Sequence, residues 1–313
     1  MQTLSTMRIP LIAICLSVLF TTGCEAQPND KSAASEKKTE TPKVTPIPVA
    51  EVKYDTYEEF DRTEIIKALQ QKIDDKQPLV VHAFVPLCDN ENQGIVPTTP
   101  SLGNGMSLNT NLYWYTSKGM KKYFMRHSQW KMLNSQLDVN EHILERVIFE
   151  RKYSNGAKVY LVADAYRGDR MKECMETYFS ALAGRTKDTI TINNQSLPVF
   201  GNADLLSFNG HDGLMDMNLD YTYNKDKRKR DAVVISCYSE VFFNQHLKYT
   251  QSYPLVMTTH LLYPGANILG EVINSWATLK TDNEIRLSAG DEYYNMKPKC
   301  GRQGARNLFS TGW

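Results

Sequence analysis

The side chains able to act as nucleophile, base or proton carrier stand at the ends of apolar runs. Cys88 and Asp89 follow PLVVHAFVPL, His211, Asp212 and Gly213 follow DLLSF, Cys237 follows AVVIS, His260 follows PLVMTT, and Asp164 lies near the end of KVYLVADAY. The His/Cys combination is the chemically informative one. A thiol beside an imidazolium ionises below its ordinary value and attacks an acyl carbon, and the imidazole then returns a proton to the leaving group. Gly213, lacking a Cβ, would let the backbone approach a carbonyl under attack, with its N–H and that of Cys237 as oxyanion donors. His260 is the competing partner for Cys237, ranked second because no glycine follows it until Gly265. The same residues also have a plain packing account. A Cys after a buried run behaves as a small hydrophobe, and Asn209-Gly210-His211-Asp212-Gly213 has the composition of a turn.

The elements that must position these residues are readable from periodicity. Glu64 to Asp75 carries Ile66, Leu69 and Ile73 at helical spacing, and Pro78 to Leu87 is a continuous, β-branched run of the kind buried on both faces in a parallel sheet. His82 inside that run reads as a core histidine. The long Gly/Pro/Asn-rich stretch Cys88 to Asn111 precedes an aromatic, helix-like segment at Leu112 to Phe124; loops of that length in a compact domain are usually functional. Ile143 to Tyr153 and Lys158 to Tyr166 flank Ser154-Asn155-Gly156-Ala157, a hairpin signal. Met171, Met175, Tyr178, Phe179 and Leu182 share one face of a helix. Strands at Asp204 to Phe208, Ala232 to Ser236 and Leu255 to Thr259 then alternate with helices at Glu240 to Leu247 and around Leu269 to Trp276. This alternation predicts an α/β fold with a mainly parallel sheet flanked by helices, plus the antiparallel hairpin. Ligands bind beyond the carboxyl ends of such strands, and two neighbouring strands about 4.8 Å apart would let His211 and Cys237 face each other there.

With His211 at one strand end, Gly213 just beyond it and Cys237 at the end of the next apolar strand, the stretch from Ala203 to Glu240 resembles the caspase-like cysteine peptidases, the group that includes caspases, gingipains, legumain and clostripain. The resemblance implies a caspase-like sheet, His211 as general base or acid, Cys237 as nucleophile, a peptide or protein substrate and no cofactor. Asp212, His260, Asp164 and Cys88 are accessory candidates, and Asp212, Glu240, Asp291 and Glu292 could each supply an acidic wall for a basic substrate side chain. This sequence departs from the pattern in having Asp212 directly after the His, and in the flanks Ser236-Cys237-Tyr238-Ser239. The alternatives are a catalytically silent α/β protein binding a partner or ligand at the carboxyl ends of its strands, and a thiol hydrolase or transferase acting on something other than peptides.

The N-terminus predicts export. Arg8 precedes Ile9 to Phe20, about a dozen apolar residues against the roughly 20 needed to span a bilayer, and so matches a secretory h-region. The run ends in Thr21-Thr22-Gly23-Cys24, which resembles the lipobox of bacterial lipoproteins and implies cleavage before Cys24 and its lipidation, with the protein held at the cell envelope by that anchor. Residues 1–23 are then the signal peptide. Residues 24–55, rich in Lys, Glu, Ser, Thr and Pro, read as the lipidated Cys and a flexible tether, and 56–313 as the α/β domain. Lys and Arg number 36 against 35 Asp and Glu, so no whole-molecule field would hold a polyanion and nucleic acid is not an expected partner. Cys88, Cys174, Cys237 and Cys300 would remain in an oxidising compartment, where disulfides are permitted, and their wide spacing argues against a zinc site. Leu102-Gly103-Asn104-Gly105 lacks the spacing and Lys of a nucleotide loop, Lys225 to Arg230 reads as a solvated basic loop, and Cys300 to Gly312 as a mobile or docking tail.

Overall fold

The computed structural model describes residues 59–219 and 225–313, so the signal, Cys24 and the tether lie outside the described residues. The first helix, α1 (Thr63–Asp74), buries Ile65, Leu69 and Ile73 at a strict i, i+4, i+8 spacing, with Ile66 turned aside. The strand β1 (Leu79–Pro86) has all eight residues buried, as a run apolar on both faces requires. After a long loop come α2 (Met120–Arg126), β2 (Lys131–Leu137), β3 (Ile143–Lys152) and β4 (Lys158–Tyr166). The helix α3 (Met171–Leu182) carries the Met stripe inward, and β5 (Lys187–Ile192) and β6 (Gln195–Phe200) make a separate two-stranded hairpin. Then follow β7 (Leu205–Asn209), β8 (Arg230–Ile235), α4 (Ser239–Thr250), β9 (Ser252–Thr258), α5 (Ala266–Ala277), α6 (Asp282–Met296), α7 (Arg302–Asn307) and β10 (Phe309–Ser310).

Eight strands form one sheet in the order β10-β9-β8-β7-β1-β4-β3-β2. The five adjacent strands β4, β1, β7, β8 and β9 run parallel, while β3 pairs antiparallel with β4 and β2 antiparallel with β3 on one side, and β10 antiparallel with β9 on the other. The fold is therefore α/β with a mostly parallel mixed sheet flanked by helices. Alternate residues of β1 serve two cores. Val81, Ala83 and Val85 pack with apolar residues of α1, α2, α5, α6 and α7, whereas Val80 and Phe84 face α3, α4 and the β5–β6 hairpin. No helix among the described residues is long and apolar enough to cross a membrane.

Three local expectations need correction, and one helix had no expectation. The aromatic segment after Asn111 is a series of turns, with helix only from Met120, because Asn111 and Gly119 hold its backbone. Lys225 to Arg230 is not simply solvated. Arg230 opens β8 fully buried, its guanidinium donating to the carbonyls of Gly201 and Leu182 and to Asp226, and Arg228 reaches Asp204. The chain end is built into the sheet, since β10 pairs with β9 and the Trp313 indole donates to the Phe60 carbonyl. The helix α6, for which the sequence reading made no assignment, buries Ile285, Ala289 and Tyr293 at the same i, i+4, i+8 spacing as α1, and its start is written as a capping box, Thr281 with Glu284.

Candidate active site

All five parallel strands end on the same side, and the pairing of β7 with β8 brings the two principal candidates to neighbouring exits. Asn209 lies opposite Ile235, and the Gly210 N–H still donates to the Ile235 carbonyl at 3.2 Å, so the strands separate only beyond that point. Beyond it the β8 chain turns sharply into α4. Tyr238 adopts a left-handed backbone at φ 50°, a conformation costly for a residue with a Cβ. The turn is fixed by its neighbours. Ser239 Oγ donates to the Val234 carbonyl at 3.0 Å and accepts from the Thr258 N–H at 2.9 Å, while the Tyr238 N–H donates to the His260 carbonyl at 3.2 Å. Cys237, one residue before the strained position, is left half-buried at the tip.

The Cys237 thiol donates to the Leu262 carbonyl at 3.6 Å. Burial pushes this thiol above its ordinary value, against the expectation of a thiolate stabilised by an imidazolium. His211 is almost wholly buried, and its Nε2 meets Asp216 Oδ2 at 2.6 Å. The same carboxylate oxygen accepts the Gly94 N–H at 2.8 Å. Burial would raise Asp216, but the hydrogen bonds from His211 and Gly94 outweigh it and hold the carboxylate below its usual range. Thus His211 and Cys237 stand at adjacent strand exits, each held by a partner other than its neighbour.

Asp212 is fully buried. One carboxyl oxygen accepts the Leu214 N–H at 3.0 Å, the other has no partner, and burial pushes the group well above the carboxylate range. Gly213 is buried against α3, where a Cβ would come within 2.5 Å of Met171 Cγ and 2.6 Å of Met175 Sδ, so the turn sits tightly on the α3 methionines. His260 is exposed, with its Nδ1 on Thr259 Oγ1 at 2.9 Å and its ring 5.9 Å from that of Tyr238. Asp164 sits in a buried network on the β5–β6 side of the sheet, bound twice by Arg146 and once by His82 Nε2 at 3.0 Å, while His82 Nδ1 accepts the Phe200 N–H at 2.9 Å. That arrangement fixes a neutral His82 tautomer and places both residues in the core rather than at the strand exits.

The loop after β1 is ordered by side chains that sequence reasoning passed over. Asn111, fully buried, accepts the Cys88 N–H at 3.1 Å and donates to the Cys88 carbonyl at 2.8 Å, clamping the loop to the strand end. Asp89 accepts the N–H groups of Glu91 and Asn92, and Gly105 and Gly168 touch backbone to backbone. Burial pushes the Cys88 thiol up to about 11. Tyr113, half-buried, packs on the same apolar cluster as Cys237, and the hydroxyl of half-buried Tyr263 lies 3.4 Å from Thr116 Oγ1. Composition gave no signal for these tyrosines beyond the length of the loop.

None of the four cysteines of the described residues is paired in a disulfide, and among those residues no three His, Cys, Asp or Glu side chains converge as metal ligands. Comparison with protein-family models, with curated proteins and with solved structures returns no match for this chain, so any function rests on the chemistry of the site itself.

Proposed function

We propose that this protein is an exported, lipid-anchored cysteine hydrolase of caspase-like architecture, cleaving peptide bonds with Cys237 as nucleophile and His211 as proton carrier. The observation that carries the reading is the placement of His211 and Cys237 at the exits of the hydrogen-bonded parallel strands β7 and β8, with Cys237 presented at a strained strand-to-helix turn. Asp216 serves as the orienting carboxylate. With Nε2–H donated to it, Nδ1 is the basic nitrogen of the ring, the division of labour of a Cys-His-carboxylate arrangement. In the reaction a substrate carbonyl displaces the Leu262 contact, Sγ bonds to the acyl carbon as its proton passes to His211, and the C–N bond breaks as that proton goes to the leaving amine. Water then hydrolyses the thioester.

The test is incubation of the purified protein with a mixed synthetic peptide library across pH 5 to 9, reading new amino termini by mass spectrometry. Cleavage is expected, abolished by Cys237→Ala and lowered roughly 10²–10⁴-fold by His211→Ala, the range typical of a lost acid–base group. No cleavage at any pH overturns the hydrolase and leaves the silent binding reading. A specific observation favours that second reading: the resting thiol is raised by burial and engaged with Leu262. For the anchor, Cys24→Ala should move the protein from the detergent phase to the aqueous phase on partitioning. A variant that stays wholly in the detergent phase removes the lipid proposal.

A further inference from the structure

We propose that the side-chain amide of Asn209 is the donor that stabilises the oxyanion formed when Cys237 attacks a carbonyl, a role that rests on the hydrolase reading and extends it.

An attacked carbonyl needs a donor fixed in advance, because a donor that must reorganise during the reaction contributes far less. Gly213 is a poor source. Its turn packs on Met171 and Met175 of α3, which belong to the core on the face of the sheet opposite the apolar cluster that Cys237 joins. Asn209 lies on the Cys237 face. Along β7, Leu206 and Phe208 belong to the α3 side and Leu205 to the other, so strand alternation turns Ser207 and Asn209 the same way as Leu205. Along β8 the matching residues are Val233 and Ile235, with Cys237 two places further on against the same cluster.

The strand register sets the separation of donor and nucleophile. Asn209 is paired with Ile235, and the Gly210 N–H still donates to the Ile235 carbonyl at 3.2 Å, so the Asn209 backbone is held by the sheet. With strands about 4.8 Å apart and about 3.3 Å per residue along them, the Cα atoms of Asn209 and Cys237 stand about 8 Å apart, a gap that their two side chains close with one oxygen between them. The amide itself is aimed. Ser207 Oγ donates to Asn209 Oδ1 at 2.7 Å and thereby fixes the carbonyl end of the side chain, leaving Nδ2 as a donor directed elsewhere. Asn209 is only 2% exposed, yet its Nδ2 has no hydrogen-bond partner among the described residues, and Ile235 opposite it offers no side-chain acceptor. A buried donor left unpaired is costly and calls for an acceptor that arrives later. The substrate carbonyl, admitted as Cys237 leaves the Leu262 carbonyl, supplies that acceptor, and the bond strengthens as negative charge builds on the oxygen.

Two reactions of the full chain separate this role from simple thiol reactivity. Iodoacetamide alkylates sulfur by displacement at a saturated carbon, forms no oxyanion and needs no donor. With p-nitrophenyl acetate, the Sγ–C bond forms as the carbonyl electron pair moves to oxygen; the pair then returns and the C–O bond breaks to release p-nitrophenolate, while the thiol proton passes through His211 to water. Acetylation and carbamidomethylation are both read at Cys237 by peptide mass spectrometry. Asn209→Ala is expected to slow acetylation about 10²-fold while alkylation stays within about twofold. Ser207→Ala, which keeps the amide and removes the hydroxyl that aims it, is expected to slow acetylation about three- to tenfold with alkylation unchanged, and decides the matter if Asn209→Ala lacks a cooperative urea transition. Acetylation in folded Asn209→Ala that equals the unaltered protein's, or is slowed no more than alkylation, overturns the Asn209 role alone; where that variant does not fold, an unchanged acetylation rate in Ser207→Ala does so. An unaltered protein that does not acetylate at Cys237, whether or not it alkylates there, overturns the hydrolase reading and this role together.

Discussion

Cys237 owes its partial exposure to Tyr238. A left-handed residue immediately after the sulfur forces the chain out of the sheet and into α4 within one step, and the Ser239/Thr258 hydrogen bonds hold that strain in place. Exposure and activation are separate matters at this position. The thiol meets a carbonyl oxygen rather than an imidazole, and burial disfavours its charged form. Alkylation of Cys237 in the free protein should therefore accelerate only as pH rises past the ordinary thiol value of 9.0, where the thiolate begins to accumulate. A stopped-time iodoacetamide series read by mass spectrometry checks this. A rate already at its plateau near pH 6 would mean that His211 ionises the thiol in solution.

Among the elements, the loop from Cys88 to Gly119 is the least regular and among the best tied. It has no helix or strand of its own, yet Asn111, Asp89 and Gln93 satisfy its backbone and join it to β1, and Gln93 also donates to the Gly168 carbonyl at 3.1 Å. Its glycines serve contact as well as turning. A Cβ on Gly168 would lie 2.7 Å from the Gly105 Cα and 2.5 Å from the Asp89 Cβ, and neither backbone nor Cβ can swing aside as a long side chain would. Gly168→Ala should cost about 1–3 kcal/mol, the usual range for overpacking, seen as a lower urea midpoint with an unchanged slope. A midpoint equal to that of the unaltered protein would show that the loop is looser than these contacts require.

Taken as one molecule, the fold sets its stability against acid through buried histidines. Burial lowers His82 despite Asp164 beside it, and brings His246, stacked 4.6 Å from the Phe179 ring, down to about 4. A histidine depressed in the fold stays neutral while the unfolded chain takes up a proton below about 6.5, so stability is whole above that value and drains away as pH falls toward the folded value. For His246 the window runs from about 6.5 down to about 4, a loss of roughly 3 kcal/mol. Asp226, held at about 2 largely by Arg230 and Lys187 against the cost of its burial, adds a loss in the same direction below the ordinary carboxylate range. Urea midpoints should drop between pH 7 and pH 4.5, and His246→Phe should flatten that drop. Midpoints constant over the interval would contradict the depressed histidines.

The residues at the strand exits were legible in the sequence because parallel packing writes itself locally: β1, β7, β8 and β9 are runs apolar on both faces, and the polar residue that ends each run marks the edge of the core. The hairpin of β3 and β4 was legible through Asn155-Gly156 for the same reason, a turn chemistry confined to neighbouring residues. Strands β2 and β5 were not, since both are largely exposed and the apolar alternation of β5 is confined to Ile190 and Ile192. Nor were Asn111, Asp216 and Arg230, whose partners Cys88, Gly94 and Gly201 lie from 23 to 122 residues away in the chain. The order of the sheet, and with it the meeting of β7 and β8, follows from which strands pair at a distance. The protonation of Cys237 and the orientation of His211 depend on burial and on Leu262 and Asp216, quantities that exist only once the chain has closed around them. Local periodicity thus names the candidates at the strand ends, while long-range side-chain hydrogen bonds and desolvation set what each of them can do.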